Sequence, residues 1–230
     1  MAGVPHRSGI GKTLWVAGAT RPDIAYATST FAQFSQNPAR IHWKGVKQLF
    51  AYLFSTKHQG ITYRRPQGRK KNTIRPIGYS DSDWGTDKAD RRSRSGGVIY
   101  LAGAPVVWFS KKQTVVAQSS CEAEYVALSQ LVREFLWLKH LLTELTIPFE
   151  LPFLAYVDNK AARELAENPI RHNRSKHIDI KFHFILEAVK NNYVLILPVD
   201  SKDNVADLFT KPVSTSIFEH LKQKLFSFTM

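Results

Sequence analysis

The stretch Ile77-Gly78-Tyr79-Ser80-Asp81-Ser82-Asp83-Trp84 decides how the chain is read. Its alternation predicts a strand, and successive side chains of a strand point to opposite faces, so Tyr79, Asp81 and Asp83 share one face. A strand interior disfavours aspartate, and two on one side are rarer still. Such acids either lie solvated on an edge strand or serve a bound cation.

Outward from this strand, a polar loop is expected through Arg91-Arg92-Ser93-Arg94-Ser95-Gly96-Gly97, then a hairpin of Val98–Leu101 and Val106–Ser110 across Ala102-Gly103-Ala104-Pro105. Helical spacing runs from Ser120 to about Leu145, with Leu128, Leu131, Phe135, Leu138, Leu142 and Leu145 in one stripe. Phe153–Val157 reads as a fourth strand, Lys160–Glu167 as a short helix, the stretch to about Lys190 as another, and Tyr193–Val199 as a fifth strand, with two short helices after it. Strands first, then helices alternating with strands, predict a mixed α/β sheet covered by helices.

Three further acids stand at informative places. Four residues before Leu128, the apolar stripe begins with Glu124. Ser119 and Glu122 fit a capping box, which gives Glu122 a structural task and leaves Glu124 either in water at the helix end or buried for a purpose. A buried unpaired carboxylate costs several kcal/mol or takes up a proton. Asp158 ends an apolar strand, at the edge where α/β proteins place ligands, although it or Asn159 could cap the next helix. Asp207 falls in a first helical turn that Asp203 or Asn204 could cap, where an acid also favours the helix dipole. If the four converge, their repulsion calls for a compensating charge, most simply a divalent metal.

The first 60 residues read as two helices: one opened by Thr20-Arg21-Pro22-Asp23 and ended by Asn37-Pro38, the other from His42 to Phe54. Ile61-Thr62-Tyr63 looks like a short strand, and Arg64 to Thr73 is a basic linker. The expected division is a basic helical segment 1–65, a linker 66–76, an α/β domain 77–212 and a C-terminal helix 213–230. Of the net charge of +13, nearly all lies in residues 1–76, which hold 13 Lys and Arg against the single acid Asp23. A basic segment joined to a near-neutral body suggests a grip on a polyanion. The single cysteine, Cys121, permits no internal disulfide, and no stretch reaches the roughly 18 apolar residues of a membrane helix, so an intracellular protein without membrane contact is expected. Gly9-Ile10-Gly11-Lys12-Thr13 is no nucleotide-binding loop, since the required first glycine falls at His6.

The ordered motifs G-Y-S-D-S-D-W, S-S-C-E-A-E-Y-V-A-L, Y-V-D-N-K-A-A, K-H-I-D-I-K-F-H-F and N-V-A-D-L-F-T-K resemble the ribonuclease H domain of copia-type retrotransposon polyproteins. A-T-R-P-D-I-A-Y-A and H-W-K-G-V-K-Q-L-F-A-Y-L resemble the tail of the preceding reverse transcriptase region. The resemblance implies a ribonuclease H-like fold, a five-stranded mixed sheet flanked by helices with an N-terminal helical extension. It implies metal-binding and catalytic roles for Asp81, Glu124, Asp158 and Asp207, and none for Asp83. It also implies hydrolysis of the RNA strand of RNA–DNA hybrids by two Mg2+ ions, with Mn2+ as a substitute, held roughly 3.5–4 Å apart. Carboxylates suit such hard ions. Arg91, Arg92, Arg94, Lys111, Lys112, Arg171, Arg174 and Lys176 are the expected phosphate contacts.

Two departures stand out. Many relatives carry a mobile histidine shortly before the last aspartate; Leu197-Pro198-Val199-Asp200-Ser201-Lys202-Asp203-Asn204-Val205-Ala206 has none, and His177 and His183 lie one helix earlier. The paired aspartates of a polymerase site, which the family places upstream, are absent, so the chain is not expected to copy DNA by itself. The expected partners are the hybrid and the rest of the reverse transcriptase region, in a cytoplasmic virus-like particle or the nucleus. Two other classes remain open: a catalytically inactive nucleic-acid-binding remnant, and a strand-transfer nuclease of the same fold.

The charge asymmetry predicts that affinity for a hybrid falls steeply with salt. Deleting residues 1–70 flattens the slope of log affinity against log salt; an unchanged slope would place the electrostatic grip elsewhere.

Overall fold

The computed structural model describes residues 3–63, 73–167 and 176–226, excluding the side chains of 167 and 176–179. The chain forms two compact units, Met1–Thr62 and Tyr63–Met230.

In the first unit, helices α1 (His6–Ala19), α2 (Ala25–Ala32) and α3 (Arg40–Ser55) stand where sequence spacing predicts only two. The additional one is α1. Its buried line is His6, Gly9, Ile10, Thr13 and Ala17, which follows helical spacing with mostly small or polar residues and so gives a weak apolar signal. The Gly9–Thr13 stretch lies inside this helix. Asp23 proves to be more than a dipole-favouring acid. Its carboxylate takes a two-pronged grip from Arg21, Nε to Oδ1 at 2.9 Å and Nη2 to Oδ2 at 2.7 Å, and a third bond from the Tyr52 hydroxyl at 2.6 Å. Arg21 also donates to the Thr56 carbonyl and hydroxyl, so one buried ion pair ties the start of α2 to the end of α3. Residues 61–63 form no strand.

The second unit is built on five strands: β1 (Ile77–Asp83), β2 (Arg94–Leu101), β3 (Ala104–Lys112), β4 (Phe153–Val157) and β5 (Val194–Pro198). Their order is β3-β2-β1-β4-β5. β1, β2 and β3 pair antiparallel, while β1, β4 and β5 pair parallel. This order and these directions are the ribonuclease H-like arrangement.

Helix α4 (Ser120–Glu144) lays the expected stripe on the sheet. Leu128, Leu131, Phe135, Leu138 and Leu142 are buried there with Phe153, Ala155 and Val157 of β4 and with Phe182 and Ile185 of α6 (Lys176–Lys190). Each of these Leu, Ile, Val and Phe side chains contributes about 1.5–3 kcal/mol by leaving water. Leu145 falls outside the stripe, 56% exposed beyond the helix end. Ser119 accepts from the Glu122 N–H, while Glu122 reaches the Gln118 N–H.

The opposite face is covered by a 3-10 turn, Val205–Phe209, and by α7 (Thr215–Phe226), whose Leu221 and Leu225 are fully buried. This layer explains a departure from the sequence reading. Arg94–Gly97, expected in a loop, forms the first half of β2. Glycine is a weak strand former, and what holds the segment is tertiary: Phe109 packs over Gly97, and Phe209 and Thr210 lie over Gly96.

A Cβ on Gly96 would stand 2.6 Å from Thr210 Cγ2, 2.7 Å from Phe209 Cβ and 2.9 Å from the Ala206 carbonyl. Gly96→Ala is therefore expected to lower stability by about 1–3 kcal/mol in urea unfolding. An unchanged midpoint would mean the turn does not rest on β2.

Candidate metal centre

The parallel pairing of β1 and β4 sets up the site. Tyr79 stands opposite Tyr156, so Asp81 and Asp158, each two residues further on, leave the strands side by side at one edge. Asp81 is 2% exposed and lies across from Gly96. Glu124, fifth residue of α4 and 6% exposed, reaches the same place from the helix. The ligand oxygens of Asp81, Glu124 and Asp158 all lie within 4.8 Å of one another.

Asp207 is not in this trio. It sits in the 3-10 turn, fixed by Asn204, whose Oδ1 caps the Ala206 N–H and whose Nδ2 donates to the Ser80 carbonyl on β1 at 3.1 Å. The link between Asp207 and Asp81 is Lys211. Its Nζ lies 2.9 Å from Asp207 Oδ1 and 3.5 Å from Asp81 Oδ2. The contact to Asp207 is an ion pair by distance but lacks hydrogen-bond geometry. Thr210 Oγ1 donates a short bond to Asp81 Oδ2.

The electrostatics follow from burial and crowding. Desolvation, then the charges of Asp81 and Asp158, push Glu124 up to about 10, against the pull of the Ser82 backbone N–H. Its Oε2 is buried without a hydrogen-bond partner. Desolvation and Asp81 push Asp207 up to about 7, with Lys211 acting the other way. An orphaned carboxylate oxygen among oxygen donors alone fits a hard divalent cation, and Asp81, Glu124 and Asp158 could hold one.

Neighbouring polar residues have other tasks. Asp83 accepts from the Arg94 backbone N–H and the Thr86 hydroxyl, which anchors the loop between β1 and β2. Asn159 caps α5 (Lys160–Glu167) through the Ala162 N–H at 3.0 Å, so the cap does not fall to Asp158. Gln113 donates to Ser95 Oγ and to the Ala123 carbonyl, tying the first turn of α4 to β2.

The expected phosphate contacts are scattered. Arg91 and Arg92 are exposed in the loop before β2, Arg92 facing Asp90 at 3.7 Å. Lys111 is exposed, on the sheet face opposite Asp81 by strand alternation. Lys112 is engaged by Asp87 and Asp90 at 2.5 and 3.0 Å. Arg94 is a correction: it is 7% exposed, with its guanidinium toward Ser110, and offers no free surface charge. Arg171, Arg174 and the side chains of Lys176 and His177 lie outside the described residues.

No family model matches the chain. Sequence relatives do. The Pol polyprotein of transposon RE1 from Arabidopsis thaliana is 39% identical over 94% of this chain, and that of transposon TNT 1-94 from Nicotiana tabacum 34% over 97%. The chain belongs to the copia-type retrotransposon Pol polyproteins. It spans only 14% and 16% of those two relatives. Secreted RxLR effector protein 161 of Plasmopara viticola is 41% identical over 60% of this Pol region and is itself 94% covered. Among solved structures, LC11-RNase H1 in complex with RNA/DNA hybrid overlays on 59% of the region at 16% identity with a TM-score of 0.43, and prototype foamy virus protease–reverse transcriptase on 85% with a TM-score of 0.39. With scores this low, the fold assignment rests on strand order and direction.

Raised carboxyl values carry a sign. The folded state holds protons that the unfolded state has released above the ordinary carboxylate range, so the contribution of these two groups to metal-free stability is fullest below about pH 4.5 and is lost as pH rises through about 7 and then about 10. Between pH 7 and 9 in a chelator, unfolding free energy is expected to fall by up to about 1.4 kcal/mol per pH unit, and Glu124→Gln to remove most of that slope. Urea midpoints across pH measure it; a flat wild-type profile would contradict the burial of Glu124.

Proposed function

We propose that this Pol region is a metal-dependent endoribonuclease that hydrolyses the RNA strand of RNA–DNA hybrids during retrotransposon replication. The observation that carries the reading is the convergence of Asp81, Glu124 and Asp158 within 4.8 Å at one strand edge, with Asp207 joined to Asp81 through Lys211. Two Mg2+ ions bound to these four carboxylates would supply an activated water and stabilise the departing 3′ oxygen.

The chain's own residues do the positioning. Asp81 belongs to both carboxylate groups, and the Thr210 hydroxyl orients it. Glu124 would hold a cation as its carboxylate, beside Asp81 and Asp158. Asn204 and Gly96 seat the turn that brings Asp207 to β1. On the substrate side, Arg91 and Arg92 contact phosphates, and the 2′-hydroxyls and minor-groove width of the hybrid provide discrimination without base reading. The rest of the reverse transcriptase region, in a cytoplasmic particle or the nucleus, is the natural partner, because the chain is a small part of its Pol relatives. No described helix is long and apolar enough to cross a membrane.

A labelled RNA–DNA hybrid incubated with Mg2+ tests the reading. The RNA strand should be cut, duplex DNA left intact, and Asp81→Asn should slow cleavage by at least about 100-fold. Binding without cutting would favour an inactive remnant, and cutting of duplex DNA a strand-transfer nuclease.

A further inference from the structure

The two halves of the acidic site are unlike. In the half made by Asp81, Glu124 and Asp158, Glu124 Oε2 is buried and unpartnered. In the half made by Asp81 and Asp207, an ammonium already stands between the carboxylates, 3.5 Å from one oxygen and 2.9 Å from the other. A divalent ion bridging those same oxygens at about 2.0–2.6 Å would overlap it. Lys211 and the ion cannot share the gap.

The surrounding chain suits an exchange. The Lys211 backbone N–H bonds the Asp207 carbonyl at 3.3 Å, and Pro212 follows with its fixed φ, so the main chain is anchored. The side chain is 41% exposed and can turn into water without disturbing the core. The ion pairs of Lys211 run to Asp81 and Asp207, so Glu124 and Asp158 leave the three-carboxylate half able to fill while Lys211 stays. The spacing carries the device: Asp207 and Lys211 are four residues apart, and the Lys211 N–H bond to the Asp207 carbonyl closes the turn that brings their side chains together.

We propose that Lys211 is a positioning residue that occupies the Asp81–Asp207 half of the site as a resident cation, and that a second divalent ion binds only by displacing it. This rests on the metal-centre reading above. Loading is then sequential: the three-carboxylate half fills first, and the second half fills against the lysine. In the metal-free protein, the ammonium holds Asp207 toward Asp81 and keeps the Val205–Phe209 turn seated.

Mn2+ titration of the full chain without nucleic acid, followed by calorimetry and by the free-ion resonance signal, tests this. Wild type should take one ion and then a second at least about tenfold more weakly, because only the fraction with Lys211 displaced is competent. Lys211→Met should tighten the second step by about tenfold while leaving the first within about threefold, and Lys211→Arg should keep the second step weak. In a chelator, Lys211→Met should melt below wild type, and the deficit should vanish at saturating Mn2+. An unchanged second step, equal tightening of both steps, or a deficit that persists with Mn2+ would overturn the proposal. Failure of wild type to bind any Mn2+, with Glu124→Gln indistinguishable from it, would instead remove the metal centre itself.

Discussion

Mutual repulsion among carboxylates is the constraint on which the second unit depends. Asp81, Glu124 and Asp207 are each less than 10% exposed, and each was brought out of water toward charges of its own sign. Left alone, such a group costs several kcal/mol or stays protonated. The structure meets that cost partly by favouring the neutral form of Glu124, whose carboxyl burial and neighbouring acids push up, and partly through the Lys211 ammonium and the Thr210 hydroxyl. The remainder falls to the apolar core beneath α4, which holds the strand edge and the helix start together.

The geometry of the fold converts this constraint into a site. Parallel pairing of β1 with β4 aligns Asp81 and Asp158, and α4 crosses the sheet so that its buried stripe ends at Glu124. Asp207 needs a different device. Its turn has no helix long enough to hold itself, so it lies directly on β2 at Gly96 and is pinned to β1 by Asn204. The site is therefore as stable as two layers of packing, one on each face of the sheet.

Much of this was legible in residue patterns. The α4 stripe predicts the burial of Leu128 to Leu142 and marks Glu124 as a carboxylate in an apolar line. The alternation in β1 places Asp81 and Asp83 on one face, but no local pattern separates their tasks; that takes the Arg94 N–H and the Thr86 hydroxyl, which approach only in the folded chain. Asp158 and Asn159 are equivalent as helix caps in sequence, and the hydrogen bond to Ala162 decides for Asn159. The glycine-containing start of β2 and the small-residue line of α1 were not legible, because long-range packing rather than propensity forms them. Lys211 left one signal, its four-residue spacing from Asp207, which becomes meaningful only once Asp81 is known to lie across the gap.

The central claim is that a divalent ion replaces a proton on Glu124. Calorimetry of the first binding step at pH 8, in buffers of different ionisation enthalpy, measures it most directly. With Glu124 pushed up to about 10, the account predicts release of about one proton per ion bound by wild type and almost none by Glu124→Gln. Tight binding by wild type with no proton released would contradict it.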